Sequence, residues 1–222
     1  FAASYDGQGA LAMQAGRDYS AVMNGNTMYD LLTMVRFGRF EEILTRDNRP
    51  DDEVGAAMWD FAYGYASLKE GNMERAIELR DQTMEFADTT DENFRFHPAG
   101  LVVGTVAQIL NGEILMEQGD LDGAIAAFEQ AVETEDSLDY DEPEPLPFSA
   151  RHWLGAALLE AERYADAETV YRDELVDHPH NGWSLHGLKA ALAAQGESDP
   201  DVDADYEESW ARTDTLIRAS KF

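Results

Sequence analysis

The chain has no cysteine among its 222 residues. Disulfide frameworks, thiolate metal sites and cysteine nucleophiles are therefore excluded. Lysine is almost as scarce: Lys69, Lys189 and Lys221 are the only three, beside thirteen arginines. These sixteen cations face 45 carboxylates, for a formal charge of −29. No basic footprint exists to neutralise phosphates, which excludes nucleic-acid binding through clustered Lys and Arg, and a polybasic membrane anchor with it. Long apolar runs are missing too. The longest nearly apolar stretch, around 99–110, is interrupted by Gly104 and Gln108. It reads as well short of the ~20 residues that span a bilayer, so no membrane insertion is expected. No signal peptide is visible, and the first residue is Phe1 rather than Met. The chain reads as a processed or truncated product with its native start further upstream. A periplasmic or secreted location is favoured over a cytoplasmic one.

Hydrophobic residues make up 44% of the chain, enough to build a core despite the charge. Like-charge repulsion of this size destabilises a compact state unless salt screens it. Few lysines and many aspartates read as an adaptation to a saline habitat; an acidic face for a basic partner is the alternative.

An internal repeat organises the rest. Gly155 precedes Ala167 by twelve residues, and the same interval separates Gly112 from Ala124, Gly64 from Ala76 and Gly9 from Ala21. Seven residues after the first glycine, a second glycine follows in three of the four units, at Gly71, Gly119 and Gly16. The small residues let two helices approach closely, and the second glycine suits the turn between them. A weaker unit surrounds Phe37-Gly38-Arg39-Phe40, with Ile43 in the place of Ala. Apolar residues recur at three- and four-residue steps, as in Leu121, Ile125, Phe128 and Val132, the mark of a helix with one buried stripe. Asn72 and Asp120 suit helix starts.

In its clearest unit the run Leu154-Gly155, Leu158, Ala167, Tyr171 and Pro179 resembles the Leu-Gly-x-x-Tyr, Ala-x-x-x-Phe, Pro pattern of the tetratricopeptide repeat. The resemblance covers roughly residues 2–196. The segments Tyr140–Pro143, Ala150–Gly155 and Asn181–Leu185 also look like the C-terminal part of a group of bacterial tetratricopeptide repeat proteins without an assigned activity. Spacings between the small second-helix positions vary, and Arg80 stands where an aromatic is expected. The implied fold is all-α: a right-handed α-solenoid of about five to six antiparallel helix pairs. Units fall near 2–26, 27–47, 53–88, 98–136 and 147–181, and 182–222 forms a terminal pair whose last helix, 202–220, caps the open end. The first unit is expected as helices 3–15 and 17–24. A curved stack with no enclosed pocket follows, since each hairpin buries its face only against neighbours. Two insertions interrupt it, 88–98 and the acidic, proline-rich 136–147. The second either binds on one face of the array or merely lengthens a connection.

Such arrays commonly hold a peptide in the groove lined by the first helix of each pair. The resemblance implies Phe61, Tyr65, Lys69, Ile109, Glu113, Met116, His152, Ala156, Trp183 and His186 as groove positions. Phe61 and Tyr65 replace two polar residues of the clamp that captures acidic chain ends, so a partly apolar, basic segment fits better. The expected function is a non-enzymatic scaffold for a protein or peptide partner. Alternatives are self-assembly with another copy through the solenoid ends, or a metal- or small-ligand-binding protein. The same groove residues could instead contact another part of the same array.

Chemistry is otherwise sparse. Asp199, Asp201, Asp203 and Asp205 alternate as in a calcium loop, but Ala204 replaces the turn glycine and Trp210 the bidentate Glu. The run reads as a solvated start to the last helix. His178, His180 and His186 are weak metal candidates, as are Asp136, Asp139, Asp141, Glu142 and Glu144; no metal or cofactor is expected. There is no nucleophile elbow, phosphate loop or zinc-protease pair. Ser149 and His152 lie one helical turn apart but lack an evident third partner.

Overall fold

The computed structural model describes residues 1–23 and 26–222. The order is α1 (Ala2–Tyr5), α2 (Gly9–Val22), α3 (Met28–Arg36), α4 (Phe40–Leu44), α5 (Glu53–Lys69), α6 (Met73–Thr89), a two-stranded ribbon β1 (Asn93–Phe94) and β2 (His97–Pro98), α7 (Ala99–Glu117), α8 (Leu121–Asp136), α9 (Arg151–Glu160), α10 (Tyr164–Asp177), α11 (Gly182–Ala194) and α12 (Pro200–Ser209). Consecutive helices pack as hairpins, and hairpins stack on their neighbours, so the chain is an all-helical solenoid.

Local chemistry accounts for the punctuation. Asp52, Asn72, Asp120, Asn181 and Asp199 each accept a main-chain N–H at a helix start, satisfying donors that the helix itself cannot. The turns inside the pairs pass through left-handed residues at Gly7, Gly38, Gly71, Gly119 and Gly196. Glu162, with φ +59°, fills the same slot between α9 and α10. That conformation is strained for a residue with a Cβ.

The packing glycines sit at helix contacts. A Cβ at Gly112 would lie 2.3 Å from the Phe128 ring, and one at Gly155 2.4 Å from Tyr171. Tyr171 also abuts Gly187 of the next pair, so one ring closes two interfaces.

The first unit departs from expectation. α2 runs unbroken through Gly16, where helices 3–15 and 17–24 were anticipated; the expected end at Asn24 lies outside the described residues. A Cβ at Gly16 would stand 2.9 Å from Asp30 Cα. Gly16 therefore lets α2 lie against the α3 backbone, and the turn of this unit falls at Gly7.

The apolar stretch at 99–110 also proves longer than it reads. Gly104 and Gln108 do not break α7, which at 19 residues and mean hydropathy 1.5 is long and apolar enough to cross a membrane by length and composition alone. Here it is a core helix, with 61% of that window buried against its neighbours.

The solenoid bends until its ends meet, so the stack is not an open curve. Trp183 Nε1 on α11 donates to Ser4 O on α1 at 2.8 Å. Arg36, at the end of α3, lies over the same indole at 3.7 Å. Tyr5 stacks on His178 with centroids 4.9 Å apart. The two insertions grip each other across the outside: Arg95 reaches Asp141 Oδ2 and Pro143 O at 2.5 Å each, and Tyr29 OH at 2.8 Å. Beyond its acidic first half, the 137–150 connection buries Leu146 and Phe148 in the core.

The last segment differs most from expectation. Helix α12 stops at Ser209, and residues 210–222 leave it as an extended strap instead of the anticipated helix to 220. Thr213, Thr215 and Ile217 are β-branched and weak helix formers. Asp214 instead caps α2, accepting from Gly9 N at 2.6 Å and Ala10 N at 3.0 Å.

Candidate peptide groove

The strap runs back across the solenoid, and its last three residues are held by groups from six helices. Arg36 Nη1 donates to Ser220 O at 3.2 Å and Lys221 O at 3.0 Å, clamping the main chain. Ser220 Oγ donates to His152 O at 2.7 Å and lies 2.8 Å from Tyr171 OH. Lys221 Nζ meets Glu113 Oε1 at 2.6 Å, while Lys69 Nζ sits 2.6 Å from the other oxygen of the same carboxylate. Phe222 packs edge-on against Phe40 and Tyr65, at 5.5 and 6.1 Å between centroids.

The electrostatics follow from burial. Glu113 is fully buried, which alone would raise its pKa, but Lys221 and Lys69 outweigh that and hold it below its usual range. Burial opposes the Lys69 charge as well, and Glu113 with Glu117 outweighs it. Arg36 has no carboxylate bonded to it. Burial lowers its pKa to about 9, leaving it cationic at neutral pH over the Trp183 face. Its Nη2 is buried without a hydrogen-bond partner among the described residues.

Of the positions implied for the groove, Tyr65, Lys69, Glu113, Met116 and His152 converge on the strap; Met116 Sδ lies 3.8 Å from Lys221 Nζ. Phe61 and Ile109 are fully buried core beneath them. Trp183 is buried where the solenoid ends meet, between Arg36, Phe37 and Trp210. Ala156 is half-buried. His186 packs on Tyr206 instead, away from this cluster. Arg36, Phe40 and the strap itself escape the sequence reading. No local signal points to them: two of the three lysines flank the same glutamate only in the folded chain, from positions 69 and 221 around 113.

The three histidines do not gather. His180 is exposed and His186 lies on α11, while His178 puts one ring nitrogen 3.1 Å from Glu144 and the other 2.9 Å from Glu174. Among the described residues no group of three His, Asp or Glu side chains could hold a metal ion.

His178 borders a cleft of about 550 Å³ between α8, α10 and the 137–150 connection, lined also by Glu135, Glu144, Ser149 and Glu174. Burial pushes the Glu135 carboxyl up to about 8, helped by Glu174, against bonds from Ala150 N at 2.9 Å and Ser149 Oγ at 3.0 Å. Burial would lower the His178 imidazole, but Glu144 and Glu174 raise it to about 10. His152 is driven well below its usual value by burial, then by Arg36 and His178. Ser149 and His152 form no nucleophile–base pair, because His152 Nδ1 faces the Ser149 main-chain N–H at 3.4 Å while the hydroxyl points to Glu135.

Comparison with known families places this architecture. Residues 109–182, from the second half of α7 to the start of α11, match the family model of the tetratricopeptide repeat. The stacked hairpins on either side continue the same helical architecture, and repeats of this class generally act as protein-association modules. No curated protein and no solved structure matches it.

Proposed function

We propose that the chain is a non-enzymatic association scaffold whose concave groove takes an extended, partly apolar and basic peptide segment. The observation that carries this reading is the Ser220–Phe222 segment, seated by a main-chain clamp, a buried carboxylate and an aromatic corner. These are the parts a peptide groove needs: bonds to the backbone for affinity and side-chain seats for selectivity. Self-assembly through solenoid ends is less well supported, because α1 and α11 cover each other within one chain.

The test is selection of short peptides from a random library on the immobilised chain, with a Glu113→Arg variant as control. Recovery of segments rich in Lys or Arg beside an aromatic, held by the chain and not by the variant, supports the groove. Recovery of nothing that tells the two proteins apart sinks it.

A further inference from the structure

The strap is anchored at two places and bare between them. Its first anchor is the Trp210 ring, packed edge-on to Trp183 with centroids 5.2 Å apart, and then Thr213 and Asp214 on the residues before and at the start of α2. Its second is Ser220–Phe222 in the groove. Among the described residues, 216–219 make no hydrogen bond to the body of the protein, and Leu216 is 79% exposed. A bridge of this kind adds little to the fold and serves mainly to deliver the three residues beyond it.

Given the peptide-groove reading, on which it rests, we infer that Ser220–Phe222 is a tethered occupant that closes the groove, and that the partner is a protein segment of the same chemistry: a small hydroxyl residue, then lysine, then an aromatic. Each seat names its requirement. The Tyr171 hydroxyl and the His152 carbonyl read a hydroxyl of serine size. The Glu113 carboxylate reads a single primary ammonium, already sharing its charge with Lys69. Phe40 and Tyr65 read an aromatic ring, with Lys69 Nζ 5.8 Å from its centre. The Arg36 clamp reads main-chain carbonyls and is indifferent to sequence. It also holds a reserve, since the buried Nη2 donor has no acceptor in the closed form. A displacing segment that supplies one makes a bond the strap does not. An acidic segment is excluded by Glu113.

A short tether sets an effective concentration on the order of 1 mM. A free segment at micromolar concentration competes against that, so the closed chain binds its partner weakly and a loosened strap exposes the full affinity.

The experiment uses a fluorescent peptide with the sequence of residues 216–222, Leu-Ile-Arg-Ala-Ser-Lys-Phe, titrated into the full chain. It is compared with a strap variant, Lys221→Ala with Phe222→Ala, and with that variant carrying Glu113→Gln. Expected is at least tenfold tighter binding by the strap variant than by the unaltered chain, lost again by at least tenfold with Glu113→Gln. A peptide with Glu in the lysine position should not bind. Equal affinity for the unaltered chain and the strap variant overturns the closing role while leaving the groove in place. No binding by either, with the strap variant still showing the native helical spectrum, overturns the groove as well. Hydrogen exchange on the unaltered chain covers the case in which the variant fails to fold. Amides of 216–222 should exchange at least a hundredfold faster than those of α7, and exchange only at the global unfolding rate would make the strap fixed core and refute the inference.

Discussion

Two of the polar clusters inside the stack are built on opposite terms. Around Glu113, two lysines face one buried carboxylate, and the pairing lowers the Glu113 pKa and raises that of Lys69. Around the cleft, Glu174 adds to the burial that raises Glu135, Glu144 and Glu174 hold His178 cationic, and Arg36 and His178 help burial keep His152 neutral. The first cluster is fixed across the neutral range. The second changes protonation near it. A buried charge is tolerated when a partner is supplied and otherwise shifts until it is neutral. The two clusters are examples of each outcome.

The largest expected effect breaks the first cluster. Glu113→Ala leaves the half-buried Lys69 and Lys221 side by side without their shared counter-charge, and since the two ammonium groups keep some contact with water the loss should fall toward the low end of the ~3–5 kcal/mol of a fully buried pair. Urea unfolding should show a lower midpoint with little change in slope. The loss should be similar at pH 6 and pH 9, because Glu113 is held below its usual range and Lys69 above its own.

The second cluster gives a smaller, pH-dependent effect. Glu135 has a raised folded pKa of about 8, so its neutral form fits the fold, and stability falls as pH rises from the ordinary carboxyl range through 8. His178 acts in the same direction. Its cation is favoured in the fold, so its contribution is complete below the ordinary histidine value and is lost as pH rises towards about 10. His152 works the other way at the acid end: buried neutral, it contributes above the ordinary histidine value and is lost as pH falls below it. The unfolding midpoint should therefore peak on the weakly acidic side and decline toward pH 9. Glu135→Gln should flatten the part of that decline below pH 8. An unchanged slope would mean that Glu135 ionises freely in the fold.

The smallest effect belongs to the third lysine. Lys189 pairs with Asp203 at 2.6 Å, but both side chains are a third or more exposed. Lys189→Met should change stability by less than ~1 kcal/mol. A loss as large as that of Glu113→Ala would erase the distinction between buried and exposed lysines on which the comparison stands.

The helix pairs were legible in the sequence because their requirement is positional. A glycine twelve residues before a small residue is demanded by the closeness of two backbones, and Gly112 and Gly155 each face a ring that leaves no room for a methyl group. The same spacing at Gly9 and Ala21 belongs to one continuous helix, which shows the limit of a spacing rule: Gly16 is small for the sake of a neighbour, α3, and not for a turn. That Tyr65, Glu113 and His152 share one side of α5, α7 and α9 followed from the repeat. The path of the last segment did not, since nothing local in Thr213–Phe222 distinguishes a capping helix from a strap. Its path is decided by Asp214 on α2 and Lys221 on Glu113, contacts separated by more than a hundred residues in each case. Arg36 escaped for a related reason. At the end of a short helix it reads as a surface cation, and only the meeting of the solenoid ends buries it.

That meeting also restricts how such a chain can evolve. Repeat arrays of the open kind change length by duplication or loss of a unit, since each unit touches only its neighbours. Here an extra hairpin anywhere between α4 and α9 would carry Ser4 and Arg36 away from Trp183 and leave the Tyr5 ring without His178. The number of hairpins is thus set by the circumference, and descendants of this chain can vary in loop length far more readily than in copy number.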